Sequence, residues 1–111
     1  MNTLTAYQIF IGAENKSPNG TFSGRALEVL NNTLTRYFKD GYTVCDGKGA
    51  WTDNKTDPKT PVVYWQHCKV ITVFVNDEVE GRIVDSFIRQ IKNELKQLAV
   101  AKVKIGAAEF I

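Results

Sequence analysis

One run of residues constrains this chain more than any other. Val70-Ile71-Thr72-Val73-Phe74-Val75 is apolar at both odd and even positions. A strand has a period of two, so such a run offers apolar groups to both faces of its sheet and must be covered on both. It forms the second half of a long predicted strand, Val62 to Val75.

The neighbouring patterns say what can cover it. A first strand reads Ala6-Tyr7-Gln8-Ile9-Phe10-Ile11-Gly12, with Tyr7, Ile9 and Ile11 on one side and Gln8 and Phe10 on the other. Glu14 to Gly20 contains Pro18 and Gly20 and reads as a loop. A helix follows, capped by Thr21 or Ser23. Phe22, Ala26, Leu27, Leu30, Leu34, Tyr37 and Phe38 make its apolar stripe, and Asp40-Gly41 stops it. Tyr42 to Asp46 begins a second strand that runs on to Trp51 through Gly47 and Gly49, a pairing that predicts a bulge or a close approach. The polar stretch Thr52 to Pro61 is a loop between two strands. Asp77 and Glu80 open a second helix with a capping-box spacing, and Val84, Phe87, Ile88, Ile91, Leu95 and Leu98 form its stripe. Glu78 and Arg82, and Asp85 and Arg89, stand at ion-pair spacing along it. The last strand is Ala101 to Ile105, followed by a tail ending in Phe110 and Ile111.

The order is βαββαβ, the ferredoxin-like split βαβ pattern: a four-stranded antiparallel sheet with two helices on one face, and residues 1–111 as one domain. Two helices cover one face only. The apolar residues of the other face, Phe10 among them, therefore predict a homo-oligomer, either a dimer by sheet stacking or a trimer around a shared core. The tail at Phe110 and Ile111 either docks on a neighbour or folds back on its own sheet.

Composition excludes several functions. Lys and Arg number 14 against 12 Asp and Glu, a balance unlike that of an electrostatic nucleic-acid binder. No apolar run reaches the ~20 residues that span a bilayer. The amino terminus has no signal-peptide pattern, which points to the cytoplasm. Two cysteines are too few for a disulfide framework or a four-ligand zinc site, and no cofactor or metal is expected.

The candidate chemistry gathers on the second and third strands. A hairpin centred near residue 56 or 57 sets Asp46 opposite His67, the only histidine, and Cys45 opposite Cys68. Asp46 and His67 then form either an acid/base pair or an ordinary cross-strand polar pair. The cysteines are expected as two thiols. Gly47-Lys48-Gly49 lacks the rest of a dinucleotide fingerprint, although Lys48 and its flanking glycines would let an anion approach the backbone, and a bulge is the other reading. Trp51, Tyr64 and Trp65 lie near the loop and could stack a purine or simply shield the hairpin.

The segment Arg36 to Trp51, with its Asp40-Gly41, Thr43-Val44 and Asp46-Gly47-Lys48-Gly49, resembles a family of small bacterial proteins known as a domain of unknown function. Ile9-Phe10-Ile11-Gly12 and Lys69-Val70-Ile71 fit as well. The resemblance covers most of the chain and implies a fold without an activity. In layout alone, the chain is similar to phage S-adenosylmethionine lyases and to PII-type signalling trimers. The PII layout implies a nucleotide cleft between subunits beneath the loop joining strands two and three. The lyase layout implies cleavage of S-adenosylmethionine to methylthioadenosine and homoserine lactone, the substrate's own carboxylate attacking, so that positioning suffices. Lyases are expected to carry a glutamate near the start of the third strand. Here the neighbourhood is Tyr64-Trp65-Gln66-His67, and a neutral Gln66 hydrogen-bonds a ligand but lacks the charge that would face a sulfonium.

The reading is a metabolite-binding oligomer with an adenine-type ligand and no nucleic-acid or membrane partner. Gln66, His67 and Asp46 are the candidate catalytic residues, and Tyr42, Lys48, Trp51 and Tyr64 the candidate ligand contacts. A lyase, a nucleotide sensor or sponge, and a protein-interaction module are the alternatives.

Overall fold

In the computed structural model, residues 3–13, 21–39, 41–53, 62–96 and 100–111 are described. The elements are β1 (Thr3–Gly12), α1 (Gly24–Tyr37), β2 (Thr43–Asp53), β3 (Val62–Val75), α2 (Asp77–Glu94) and β4 (Ala101–Glu109). They form one four-stranded antiparallel sheet in the order β2-β3-β1-β4, the ferredoxin-like arrangement.

The two helices pack on one face. Ile9, Ile11, Ile71 and Val73 alternate along β1 and β3 onto that face and are fully buried against Leu30 and Leu34 of α1 and Val84, Phe87 and Ile91 of α2. Phe87 sits among aromatic rings from the other helix, 5.2 Å from Phe38 and 6.0 Å from Tyr37, both edge-on. The Tyr37 hydroxyl donates to Gln90 Oε1 at 2.7 Å, so the aromatic contact carries its own polar tie.

Local signals explain the boundaries. Of the two candidate caps, Ser23 is the one used: its Oγ accepts from the Ala26 N–H at 3.1 Å. α1 stops at Tyr37, and Gly41 takes a φ of 128° before β2 begins. Thr33, which breaks the apolar stripe, is buried with its hydroxyl donating to the Val29 carbonyl. The spacing of Asp77 and Glu80 falls on side chains outside the described residues, as do the loop at 14–20 and Leu98; of the loop expected over Thr52 to Pro61, Thr52 and Asp53 belong to β2 and 54–61 lie outside the described residues. Asp85 pairs across to Lys102 of β4 at 2.7 Å rather than along its own helix with Arg89. A cross-element partner was available, and helical spacing alone does not reveal one.

β4 runs four residues beyond the expected Ile105. A register shift between Ala6 and Tyr7 inserts an extra residue on β4, and Gly106, at φ 139°, absorbs the bend. The extension carries Phe110 back onto its own sheet, where its ring meets Phe74 edge-on at 5.2 Å. The open face still exposes Phe10, Phe74, Val103 and Phe110, the last at 59 %.

β2 and β3 outrun the other strands. β1 pairs with β3 only as far as Gly12 with Cys68, extended one step by the Ala13 N–H bonding the His67 carbonyl. Beyond that point Gly49–Asp53 and Val62–Gln66 continue, among the described residues, as a two-stranded arm.

Candidate functional site

The hairpin register decides which candidate residues meet. Asp46 faces Lys69, Gly47 faces Cys68 and Lys48 faces His67. The expected Asp46–His67 pair is therefore not formed, and neither is Cys45–Cys68. The observed register sums to 115 (46 and 69) where the expectation summed to 113 (46 and 67). The hairpin centre lies one residue further along, which slides each residue two places against its partner but keeps it on the same face. Asp46 instead makes an ion pair and hydrogen bond with Lys69, whose ammonium also lies 5.8 Å from the centre of the Phe22 ring. Cys45 stands opposite Val70, diagonal to Cys68, and both thiols are free.

Lys48 and His67 occupy the next same-face step toward the arm. Residues 71, 69 and 67 alternate with period two, so this pair shares the helix-bearing face at the root of the arm. Both are exposed. The Asp46 carboxylate is matched by Lys69, and Lys48 and His67 add two exposed nitrogen-bearing side chains to the same ledge, groups of the kind that contact a carboxylate or phosphate.

The other candidates lie elsewhere. Trp51 pairs with Tyr64, and Gly49 with Gln66. Three strand steps separate Trp51 from Lys48, and one separates Gln66 from His67, so these positions fall on the opposite face of the ribbon. Their side chains lie outside the described residues. Tyr42 stands nine residues before Trp51, roughly 30 Å along the strand at ~3.3 Å per residue. Its hydroxyl is 3.1 Å from Thr35 Oγ1, which ties the start of β2 to α1. Beside it a cleft of about 340 Å³ opens at the far end of the sheet, lined by Arg36, Tyr37, Lys39, Gly41, Phe74 and Ile83. Tyr42 thus belongs to that end and not to the arm.

Sequence reasoning missed Lys69 as the partner of Asp46, and the one-residue uncertainty in the loop centre is the reason. Among the described residues, no three His, Cys, Asp or Glu side chains gather as a metal site, and no helix is long and apolar enough to cross a membrane.

A family model described as "Protein of unknown function (DUF3574)" matches residues 6–109. No curated protein matches the sequence. Among solved structures, a phage S-adenosylmethionine lyase in complex with S-methyl-5'-thioadenosine is similar with a TM-score of 0.67 at 12% identity, over 95% of this chain and 87% of that one. The Bacillus subtilis GlnK–ATP complex is similar with a TM-score of 0.52 at 10% identity, over 92% and 84%. The periplasmic divalent cation tolerance protein CutA from Archaeoglobus fulgidus gives 0.50 at 11%, over 96% and 87%. At these identities the likeness is one of fold.

Proposed function

The chain belongs to the DUF3574 family, and on that premise we propose that it is a homo-oligomer that binds a small adenine-type metabolite in clefts between subunits. The observation that carries the reading is the ledge of Lys48 and His67 beside the Asp46–Lys69 pair, exposed on the face of β2 and β3 that continues past α1. The ledge supplies contacts for the anionic end of a ligand. The aromatic contacts for its base come from Trp51 and Tyr64, which sit on the other face of the ribbon. One ligand therefore reaches both groups only when they come from different subunits. The exposed apolar residues of the open face, Phe10, Phe74 and Val103, give a reason for subunits to associate. Two of the solved relatives carry adenine compounds in their structures, methylthioadenosine and ATP, which supports the ligand class.

The catalytic form of this reading is cleavage of S-adenosylmethionine. Gln66, where a lyase is expected to place a glutamate, favours binding without turnover. His67 and Asp46 then hold the ligand and do not relay protons, because the register sets them two residues apart along the ladder.

Titration calorimetry with S-adenosylmethionine, methylthioadenosine and ATP, followed by chromatography of the mixture, tests the reading. Saturable binding that His67→Ala weakens at least tenfold is the expected result. Release of methylthioadenosine would establish the lyase instead of the sponge. No heat with any of the three removes the metabolite reading and leaves a protein-interaction module.

A further inference from the structure

The fold brings both cysteines of the chain to one patch of the sheet. Cys68 faces Gly47 on β2 and Gly12 on β1, and Cys45 stands two residues before Gly47. By the two-residue period, Cys45, Gly47 and Cys68 share the face that points away from the helices. Cys45 is exposed, Cys68 is half-buried, and both thiols are free.

The positions on either side of Cys68 in its row are glycines, so neither carries a side chain. The sulfur uses the room on the β2 side. It stands 2.9 Å from where a Cβ at Gly47 would be, which leans it toward the strand that carries Cys45. A methyl of Val70, the residue opposite Cys45, lies 3.8 Å from the same point and gives the patch an apolar wall.

Spacing decides what the two thiols can do together. Diagonal neighbours on a ladder have Cα atoms roughly 7–8 Å apart and Cβ atoms somewhat closer. A disulfide needs Cβ atoms within about 4.5 Å and a sulfur–sulfur bond of about 2.05 Å, so it falls short. One metal ion between the sulfurs replaces that bond with two, each of about 2.3 Å if zinc–thiolate lengths are the guide. The reach grows by about 2.5 Å, which matches the diagonal. The ligand set then selects the ion. Structural zinc and iron–sulfur clusters take four protein ligands, and calcium and magnesium take oxygens. Among the described residues, no three His, Cys, Asp or Glu side chains gather. Cu(I) is soft, is favoured by thiolates, and is satisfied by two of them in line.

We propose that Cys45 and Cys68 form a two-thiolate site for Cu(I) on the outer face of the β2–β3 ladder, with Gly47 as the residue that makes room for it. Binding forms two copper–sulfur bonds and breaks two S–H bonds. Both protons go to solvent, the bound unit carries a single negative charge, and copper stays Cu(I) throughout. The inference stands apart from the metabolite reading, because the ledge of Lys48 and His67 lies on the other face of the same strands.

Anaerobic titration with Cu(I) in the presence of the coloured chelator bicinchoninate tests it. The protein should withdraw one copper per chain. Cys45→Ser and Cys68→Ser should each weaken retention at least a hundredfold. Gly47→Ala, which contests the space of the sulfur, should weaken it at least tenfold, whereas Gly49→Ala should leave it unchanged. Retention by either serine variant, or one copper per two chains, would overturn the proposal. A measurement on the unsubstituted protein avoids any folding defect in the variants. Cu(I) should protect both thiols together from N-ethylmaleimide, read by mass spectrometry. Alkylation of either cysteine at the same rate with and without copper would sink the idea.

Discussion

The Cys68 thiol fills the space that a side chain at Gly47 would need: its sulfur stands 2.9 Å from where a Cβ would be, across the β2–β3 ladder. Gly47 is therefore a packing glycine. Gly49, two residues on, has nothing within 4 Å of the same position among the described residues.

The two glycines should respond to alanine in opposite ways. Gly47→Ala should destabilise by about 1–2 kcal/mol, the scale of modest overpacking. Gly49→Ala should be neutral or stabilise by up to about 0.5–1 kcal/mol, the usual gain on replacing a strand glycine. Urea titrations measure both. Adding Cys68→Ala should recover most of the Gly47→Ala loss, since removing the sulfur empties the contested space. Additive losses would show that the clash is not the cause.

Phe87 is the side chain on which the two helices converge, fully buried against Phe38 and Tyr37. Phe87→Ala should cost about 3–5 kcal/mol, the range for a large aromatic deleted from a core. Phe87→Leu should cost less. Thermal denaturation distinguishes the two.

The Asp46–Lys69 pair should contribute little to stability. Asp46 is 79% exposed, so solvent screens the pair, and Asp46→Asn should shift unfolding by less than about 1 kcal/mol. The same substitution adds positive balance to the ledge. Under the metabolite reading it should tighten an anionic ligand, an effect that fades as salt is raised.

Inter-subunit sharing of the ligand site predicts complementation. His67→Ala and Trp51→Ala should each lose ligand binding alone. Refolded together in equal amounts, they should regain about a quarter of the sites, those that draw an intact ledge from one subunit and an intact tryptophan from its neighbour. Failure to regain any would place both residues in a site within one subunit or outside the site altogether.

Ser23→Ala should cost about 1 kcal/mol by removing the side chain that caps α1. Ser23→Asp should restore most of it, read by the same denaturation curves.

The order of elements, the antiparallel sheet and the residues of the core were legible in the chain itself. Period-two and period-3.6 patterns are local, and burial of one stripe or one face is what produced them: Ile9, Ile71, Leu34 and Phe87 all stand where their spacing put them. The apolar character of both faces at Val70–Val75 was legible too, and in the single chain the helices cover one of those faces while Phe10 and Phe74 stand exposed on the other. What only the tertiary structure decided was pairing. Asp46 went to Lys69 and not to His67, because a hairpin's register depends on where its loop centres, and a shift of one residue in that centre leaves every face pattern intact. Likewise, no local pattern could tell that the β1–β3 ladder aligns Gly12 with Cys68, that Gly106 lets β4 run on to Glu109, or that Phe110 lands on Phe74. These features arise between strands distant in sequence, where the relevant energy is that of contacts the chain makes only after it has folded.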